Sequence, residues 1–433
     1  MVDSETIVAL SSGPGRAGVA VIRISGKQVR FALETISGAV PQPRHASYRA
    51  LRDDAGEMID RGLVLYFPAP DSFTGEDVAE FQVHGSRAVL ARLLSVLTRL
   101  PQTRLAEPGE FTRRAFEAGK LDLAAVEGLA DLIDSETEWQ RKQALRQMEG
   151  ALGDVVRDWR LRLISAMALL EADLDFSDEG DVADGLVTQC LAETSVVQDT
   201  MRQALGSFAA GERVREGFVV VLAGAPNAGK SSLLNALARR DVAIVSPIPG
   251  TTRDTLEVRL DLGGLPVILI DTAGLRDSDD PIEAEGVRRA RRKAEQADLI
   301  LRLTAPDSVP EQISDPVREV AVATKADLIA PASAGALAVS AVTGQGLAAL
   351  IAEIADRLGK TAGEPALVTR ERQRIAISDA LAALDRAAGL SVDHPELIAE
   401  EFRIAVRSLG RLIGAVDVED VLDTLFSGFC IGK

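Results

Sequence analysis

The sequence predicts a chain of three parts: an α+β block at the N-terminus, a helical domain, and a parallel α/β domain inserted into the helical one. Three changes of hydrophobic period carry this reading. Short β-rich runs alternate with turns up to about residue 117, and apolar residues then recur at three and four positions for nearly a hundred residues. From "REGFVVVLAGAP" buried strands alternate with helices to about residue 360, the pattern of a parallel sheet. A second helical stretch closes the chain, so helices flank the α/β block on both sides. The expected boundaries are 1–117 for the α+β domain, 118–213 and 361–433 for the two parts of the helical domain, and 214–360 for the insertion.

Within the first block, "TIVAL", "AGVAVIRIS", "GLVLYF" and "DVAEFQVHG" read as strands, and "SRAVLARLLSVLTRL" as a helix stopped by Pro101. The runs "LDLAAVEGLADLIDSETEWQRKQALRQM" and "RDWRLRLISAMALLEADLDF" hold an apolar helical face, as do "RERQRIAISDALAALDRAAGL" and "PELIAEEFRIAVRSLGRLI" after the insertion. With 433 residues, 46% hydrophobic and 26% charged, the chain has material for several cores. It has no run of 18 apolar residues, and "MVDSETIVALSS" lacks a basic segment ahead of an apolar one, so a cytoplasmic protein without membrane contact is expected. Two cysteines, Cys190 and Cys430, speak against a disulfide framework, and the scattered His45, His84 and His394 cannot build a zinc site with them. The net charge of −17 repels nucleic acid at long range, so chemistry on RNA would need a local patch or a basic partner. The terminal "CIGK" fails as a prenylation motif, because glycine and lysine stand where an aliphatic and a short neutral residue belong.

The insertion carries the recognisable chemistry. After the apolar strand Val219–Ala223, "GAPNAGKSS" fits G-x-x-x-x-G-K-[ST] from Gly224 to Ser231 and leads into a helix. The amides around Asn227, Ala228 and Gly229, with Ser232 beyond them, are expected on the phosphates. Lys230 is expected on the β and γ oxygens, where it also serves catalysis, and the Ser231 hydroxyl on magnesium. A second strand, "VILID", ends in Asp271-Thr272-Ala273-Gly274, whose carboxylate can hold the metal through water and whose last amide can sense a γ-phosphate. Between these, "PGTTRD" puts Thr251 and Thr252 on a loop that can complete the metal shell only while the γ-phosphate is present. The third loop is Thr324-Lys325-Ala326-Asp327, where guanine-specific proteins carry Asn-Lys-x-Asp. Asp327 can accept from guanine N1 and N2, Thr324 in place of asparagine is expected to weaken the contact to N7, and Ser340 and Ala341 of "VSAVTG" offer a backbone contact to the guanine oxygen. Leu275 follows Asp-x-x-Gly where a water-orienting glutamine would stand, so catalysis must come from elsewhere. Glu283 is the nearest candidate downstream, with a solvated carboxylate as the alternative, and Asn227 can hold a monovalent cation in place of an arginine finger. The cluster "RRARRK" at 288–293 reads as an exposed helix face rather than an RNA patch.

With these motifs in view the chain resembles the MnmE (TrmE) family of tRNA wobble-uridine modification GTPases, from "TIVALSSGPGRAGVAVIRISG" to the final "FCIGK". The resemblance implies an N-terminal folate-binding and dimerisation domain, an all-α helical domain, and an inserted Ras-like P-loop GTPase domain. It implies a homodimer, GTP with Mg2+ and K+, and 5-formyltetrahydrofolate or methylenetetrahydrofolate as the one-carbon source. It also implies an FAD-containing partner, MnmG, that brings the tRNA-binding surface, and a carboxymethylaminomethyl-type product at carbon 5 of the wobble uridine. By matching motifs, Arg23, Glu80, Lys120 and Lys433 resemble folate contacts, and Asn227 with Ser246, Ile248 and Thr251 the potassium ligands. Thr252 resembles the second magnesium ligand and Glu283 the catalytic glutamate. Departures are Thr324, Ser246 where threonine is common, and a short "APDSVPEQISDP" segment, all bearing on nucleotide affinity. The tail is expected to fold back on the N-terminal domain, with Gly432 permitting a close backbone approach. Cys430 is then either a packed small hydrophobe or a nucleophile or acid/base at the modification centre, for instance adding to uridine carbon 6, with a cysteine of the partner protein as the alternative. Two other readings remain, a ribosome-assembly GTPase, which the N-terminal block and the cysteine tail oppose, and a nucleotide-gated scaffold.

Overall fold

The computed structural model describes residues 5–175, 186–240, 242, 244, 257–271, 295–306, 315–328, 335–416, 419–429 and 431–432. The chain divides into two compact units, Met1–Ala130 with Gly410–Lys433, and Asp131–Leu409. The first unit is built on strands β1 (Thr6–Leu10) and β2 (Ala17–Ser25), helix α1 (Val29–Ser37), strands β3 (Ser47–Arg52), β4 (Met58–Phe67) and β5 (Val78–Gly85), helix α2 (Arg87–Leu97) and strand β6 (Thr103–Leu105). Its sheet runs β3-β4-β5-β2-β1-β6, antiparallel except for the parallel β1–β6 pair. Alternation along β2 turns Ala20, Ile22 and Ile24 inward, and the apolar stripes of both helices close over them, with Leu33 and Leu93 fully buried beside Phe81. The Ser86 hydroxyl caps α2 by accepting from Val89 N at 3.2 Å. Helices α3 (Glu110–Glu117) and α4 (Leu123–Ile133) follow.

The second unit opens with α5 (Glu138–Met148). The long apolar run expected as continuous helix is broken at Asp134–Thr137, where Thr137 and Gln140 form a capping box that starts α5 afresh. Helices α6 (Ala151–Asp175), α7 (Leu186–Gly206) and α8 (Phe208–Glu216) precede the insertion. Strand β7 (Phe218–Ala223), helix α9 (Lys230–Ala238), strands β8 (Glu257–Leu262), β9 (Leu265–Asp271), β10 (Leu299–Thr304), β11 (Glu319–Ala323) and β12 (Leu337–Ala338) and helix α10 (Leu347–Ala362) form it. Its sheet runs β12-β11-β10-β7-β9-β8, parallel except for the β8–β9 hairpin. After it come α11 (Glu371–Ala388) and α12 (Pro395–Ile413), and α7 packs against both α6 and α11. Trp159 of α6 donates its indole N–H to Thr200 at 2.9 Å, and Cys190 is fully buried in α7. Among the described residues no helix is long and apolar enough to cross a membrane.

The chain ends in α13 (Glu419–Ser427), back in the first unit. Phe426 and Phe429, their ring centroids 5.9 Å apart, are buried with Val126. Ile431 forms an antiparallel bridge with Pro108, and Ser11 Oγ donates to the Gly432 carbonyl at 2.9 Å. Gly432 has φ +100°, and a Cβ there would stand 2.2 Å from the Leu10 carbonyl oxygen and 2.8 Å from its carbon. Backbone atoms cannot swing aside, so this seat requires glycine. Cys430 and Lys433 lie outside the described residues.

Replacing Gly432 by alanine is expected to lift the last residues off β1 while leaving the two cores intact. Carboxypeptidase digestion should then release the C-terminal residues faster than from the parent chain. An unchanged release rate would show that the seat tolerates a side chain.

Candidate functional site

The C-terminal ends of the parallel strands gather the nucleotide motifs on one edge of the inserted sheet, as expected where the strand order reverses beside β7. The loop between β7 and α9 turns through three residues of positive φ: Gly224 at +149°, Asn227 at +65° and Gly229 at +88°. Asparagine tolerates this region better than most side chains, and a Cβ on Gly224 would meet the Leu303 carbonyl at 2.4 Å. Gly229 then caps α9, whose unpaired N-terminal amides and dipole favour an anion. Lys230 is buried at the first turn, with its ammonium donating to the Gly224 and Ala225 carbonyls at 2.7 and 3.0 Å. The lysine thus spans the mouth of the loop, close to where phosphate oxygens would lie. Ala228 is buried, Asn227 is exposed, and Ser232 follows Ser231 on the first turn of α9.

Ser231 Oγ donates to the Asp271 carboxylate at 2.5 Å. Two hard oxygen ligands, one from the start of a helix and one from the end of β9, therefore sit side by side, which fits a magnesium ion bound through one or two protein groups and substrate phosphates. The other switch residues named from the sequence, Ser246, Ile248, Thr251, Thr252, Thr272, Ala273, Gly274, Leu275 and Glu283, lie outside the described residues, as does the 288–293 cluster.

The base loop is attached to the phosphate loop through Thr324, a contact that the sequence reading did not include. Thr324 is buried, its amide donates to the Thr304 carbonyl at 2.9 Å, and its hydroxyl lies 2.7 Å from the Ala228 carbonyl and 3.2 Å from that of Thr304. A hydroxyl has one proton, and here that proton goes to backbone rather than outward. Lys325 takes φ +55°, Ala326 N donates to Val339 O at 3.1 Å, and Asp327 is left exposed beyond them. Ser340 is fully buried, and its hydroxyl accepts from the Val342 and Thr343 amides, which shapes the turn that carries Ala341. No local sequence signal marks the contact between Thr324 and Ala228.

In the first unit, Arg23 of β2 and Glu80 of β5 are register partners, with Arg23 Nη2 and Nε 2.9 and 3.1 Å from one Glu80 oxygen. The guanidinium also lies 5.6 Å from the Phe73 ring centroid and 5.7 Å from that of Phe111, within cation–π range. Lys120 comes near the same region, since a Cβ on Gly75 would stand 3.7 Å from its Cε. Sequence reasoning missed a polar chain beside this pair. Ser25 hydrogen-bonds Thr74 at 2.7 Å and Glu76 at 2.8 Å, Arg114 bridges Glu76 and Glu110, and Arg104 forks onto Glu110 at 2.6 and 2.8 Å. Partial burial works against charge on Glu110, but the Arg104 guanidinium, the Glu107 amide and Arg114 outweigh it and hold the carboxyl below the usual carboxylate range.

Thr324→Val keeps the shape of the side chain and removes the hydroxyl that joins the two loops. GTP and GDP affinities are expected to fall together by about fivefold, the worth of one net hydrogen bond, while Thr324→Ser restores them. Titration with a fluorescent nucleotide reads both values. Unchanged affinity in the valine variant would show that the loops hold their places without this bond.

Comparison with known proteins agrees with this layout. The MnmE helical domain family matches residues 123–430, and the family described as the GTP-binding protein TrmE N-terminus matches residues 6–120. The tRNA modification GTPase MnmE of Azorhizobium caulinodans is 54% identical over 433 residues, covering 99% of either chain. That of Methylobacterium sp. (strain 4-46) is 55% identical over 439 residues, covering 99% of this chain and 100% of the relative. With matches that span both ends and the insertion between them, this chain belongs to the MnmE family.

Proposed function

We propose that this chain is a GTP-hydrolysing enzyme of tRNA modification that acts at carbon 5 of the wobble uridine together with an FAD-containing MnmG partner. Full-length identity above one half to proteins named tRNA modification GTPase MnmE carries the reading, and the Lys230, Ser231 and Asp271 arrangement supports it. In the nucleotide site the α9 N-terminus and Lys230 hold the β- and γ-phosphates, with Lys230 exchanging loop carbonyls for phosphate oxygens. Ser231 and Thr252 would hold magnesium, with Asp271 reaching it through water, and the ion would supply charge neutralisation on the transferred phosphoryl group. Asn227 would hold potassium at the place where other GTPases use an arginine, and Glu283 orients the attacking water. Asp327 accepts from the guanine ring, and Thr324 sets the distance of the base loop from the phosphate loop.

In the N-terminal domain, Arg23 and Glu80 place a donor and an acceptor side by side next to Phe73, an edge that fits a pterin ring, and Lys120 and Lys433 would serve as contacts to the folate's carboxylates. We propose that the Cys430 thiolate adds to uridine carbon 6, the carbon 5 enolate so formed attacks the one-carbon unit of the folate, whose bond to the folate nitrogen takes up the electron pair, and loss of the carbon 5 proton then expels the thiolate. Binding of tRNA falls mainly to the partner, in keeping with the net charge of −17 on this chain, and two copies associate through their N-terminal domains.

Turnover of GTP is expected to rise several-fold when potassium replaces sodium at equal ionic strength, and Asn227→Ala should erase that difference. Equal rates in the two salts would remove the cation from the mechanism. For the modification, mass spectrometry of wobble nucleosides from a strain whose own gene is replaced by the Cys430→Ser variant should show loss of the carbon 5 substituent with normal GTP turnover. A fully modified pool would leave the cysteine as packing, and an unchanged profile in a strain lacking the gene altogether would refute the function itself.

A further inference from the structure

Helix α5 carries a second polar site, at the root of the insertion and at the opposite end of β7 from the phosphate loop. Gln140, Gln143 and Gln147 stand three and four apart, on one helical face. Their amide nitrogens donate to the two chain segments that enter and leave the insertion: Gln140 to Arg215 O at 3.0 Å, Gln143 to Gly211 O at 2.9 Å and Gln147 to Leu367 O at 2.5 Å. These contacts fix which amide atom is nitrogen, because a carbonyl cannot face a carbonyl. Gln143 and Gln147 are 5% and 2% exposed, and the amide oxygen of each has no hydrogen-bond partner among the described residues. Leaving such an acceptor unmet costs about 1–3 kcal/mol, so two of them side by side call for a donor.

Both glutamines line a cavity of about 50 Å³, together with Gln140, Asp131, Asp134 and Arg215. The nearby guanidiniums reach other partners, although the buried Nε of Arg370 has none among the described residues. Arg215 Nε donates to Thr369 O at 3.2 Å and its Nη2 to Glu216 at 2.7 Å, while Arg370 pairs with Asp131 at 2.5 Å. The lining is therefore rich in acceptors, and Asp134 adds a negative field. Among the described residues there is no group of three or more histidine, cysteine or acidic side chains, which argues against a transition metal or a tightly held divalent ion. Neutral amide oxygens near a carboxylate suit a weakly hydrated monovalent cation, and the volume admits one such ion with one or two waters. We propose that this cavity binds a monovalent cation of potassium or ammonium size, and that the ion holds α5 to both connections of the inserted domain.

The test uses the nucleotide-free full chain carrying Asn227→Ala, which silences the cation position at the phosphates. Unfolding midpoints are compared in potassium, ammonium and N-methylglucamine chlorides at equal ionic strength, the last cation being too large for the cavity. Potassium and ammonium should raise the midpoint by about 2 °C over N-methylglucamine. Gln147→Met should abolish that difference. Asp134→Asn, at an exposed position that holds no linker carbonyl, should shrink it even if the glutamine variant folds poorly. Equal midpoints in the three salts, or a difference that survives Asp134→Asn, would overturn the proposal and leave ordered water as the occupant.

Discussion

A loop that presents its amides to an anion must turn them outward, and a chain of L-residues does this only where several residues accept positive φ. Gly224, Asn227 and Gly229 meet that demand within six residues, and the rest of the insertion is arranged around the resulting turn. The Leu303 carbonyl at the end of β10 closes against Gly224, so no side chain fits there, and Thr324 reaches across to Ala228. The parallel sheet makes this possible, because parallel strands deliver the ends of β7, β9, β10 and β11 to the same edge. An antiparallel arrangement would have sent Asp271 and Thr324 to opposite edges.

A different kind of contact holds the insertion to the helices around it. Exposed ion pairs such as Arg157–Asp154 and Arg374–Glu371 are numerous, but pairs of that kind contribute about 0–1 kcal/mol each and are screened by salt. The α5 glutamines instead bond to buried and partly buried backbone carbonyls, which would be left unmet without them. Arg146 adds an exposed bond to the connection after the insertion, to Pro365 O at 2.9 Å. Where the two connections pass closest, a Cβ on Gly211 would stand 2.6 Å from the Val368 carbonyl.

The N-terminal unit uses charge in yet another way. Glu80 pairs with Arg23, Glu76 with Arg114, and Glu110 with both Arg114 and Arg104, so each of these partly buried carboxylates meets a guanidinium and none stands as an isolated charge. The tail joins this unit by backbone contacts at Leu10 and Ser11, and Leu10 is the register partner of Ile22, next to Arg23. Gly432 thus approaches the β1–β2 pair that bears Arg23.

What could be read from the sequence was whatever neighbours along the chain decide. The period of two in "AGVAVIRIS", the period near 3.6 in the flanking helices, and the glycines and lysine of "GAPNAGKSS" each express a local backbone preference, so the three-part architecture and the phosphate loop were legible. Helix α1 and the short strands β3 and β6 were not, because their form is settled by packing against the sheet rather than by a strong pattern of their own. The bond from Thr324 to Ala228 was not legible, because the two lie 96 residues apart and only strand order brings their loops together. Likewise Ser11 and Gly432 meet across 421 residues, and the α5 glutamines find carbonyls on both sides of the insertion. Motifs and periods are encoded in adjacent residues. Hydrogen bonds between distant loops depend on register and layer packing, which exist only once the chain has folded.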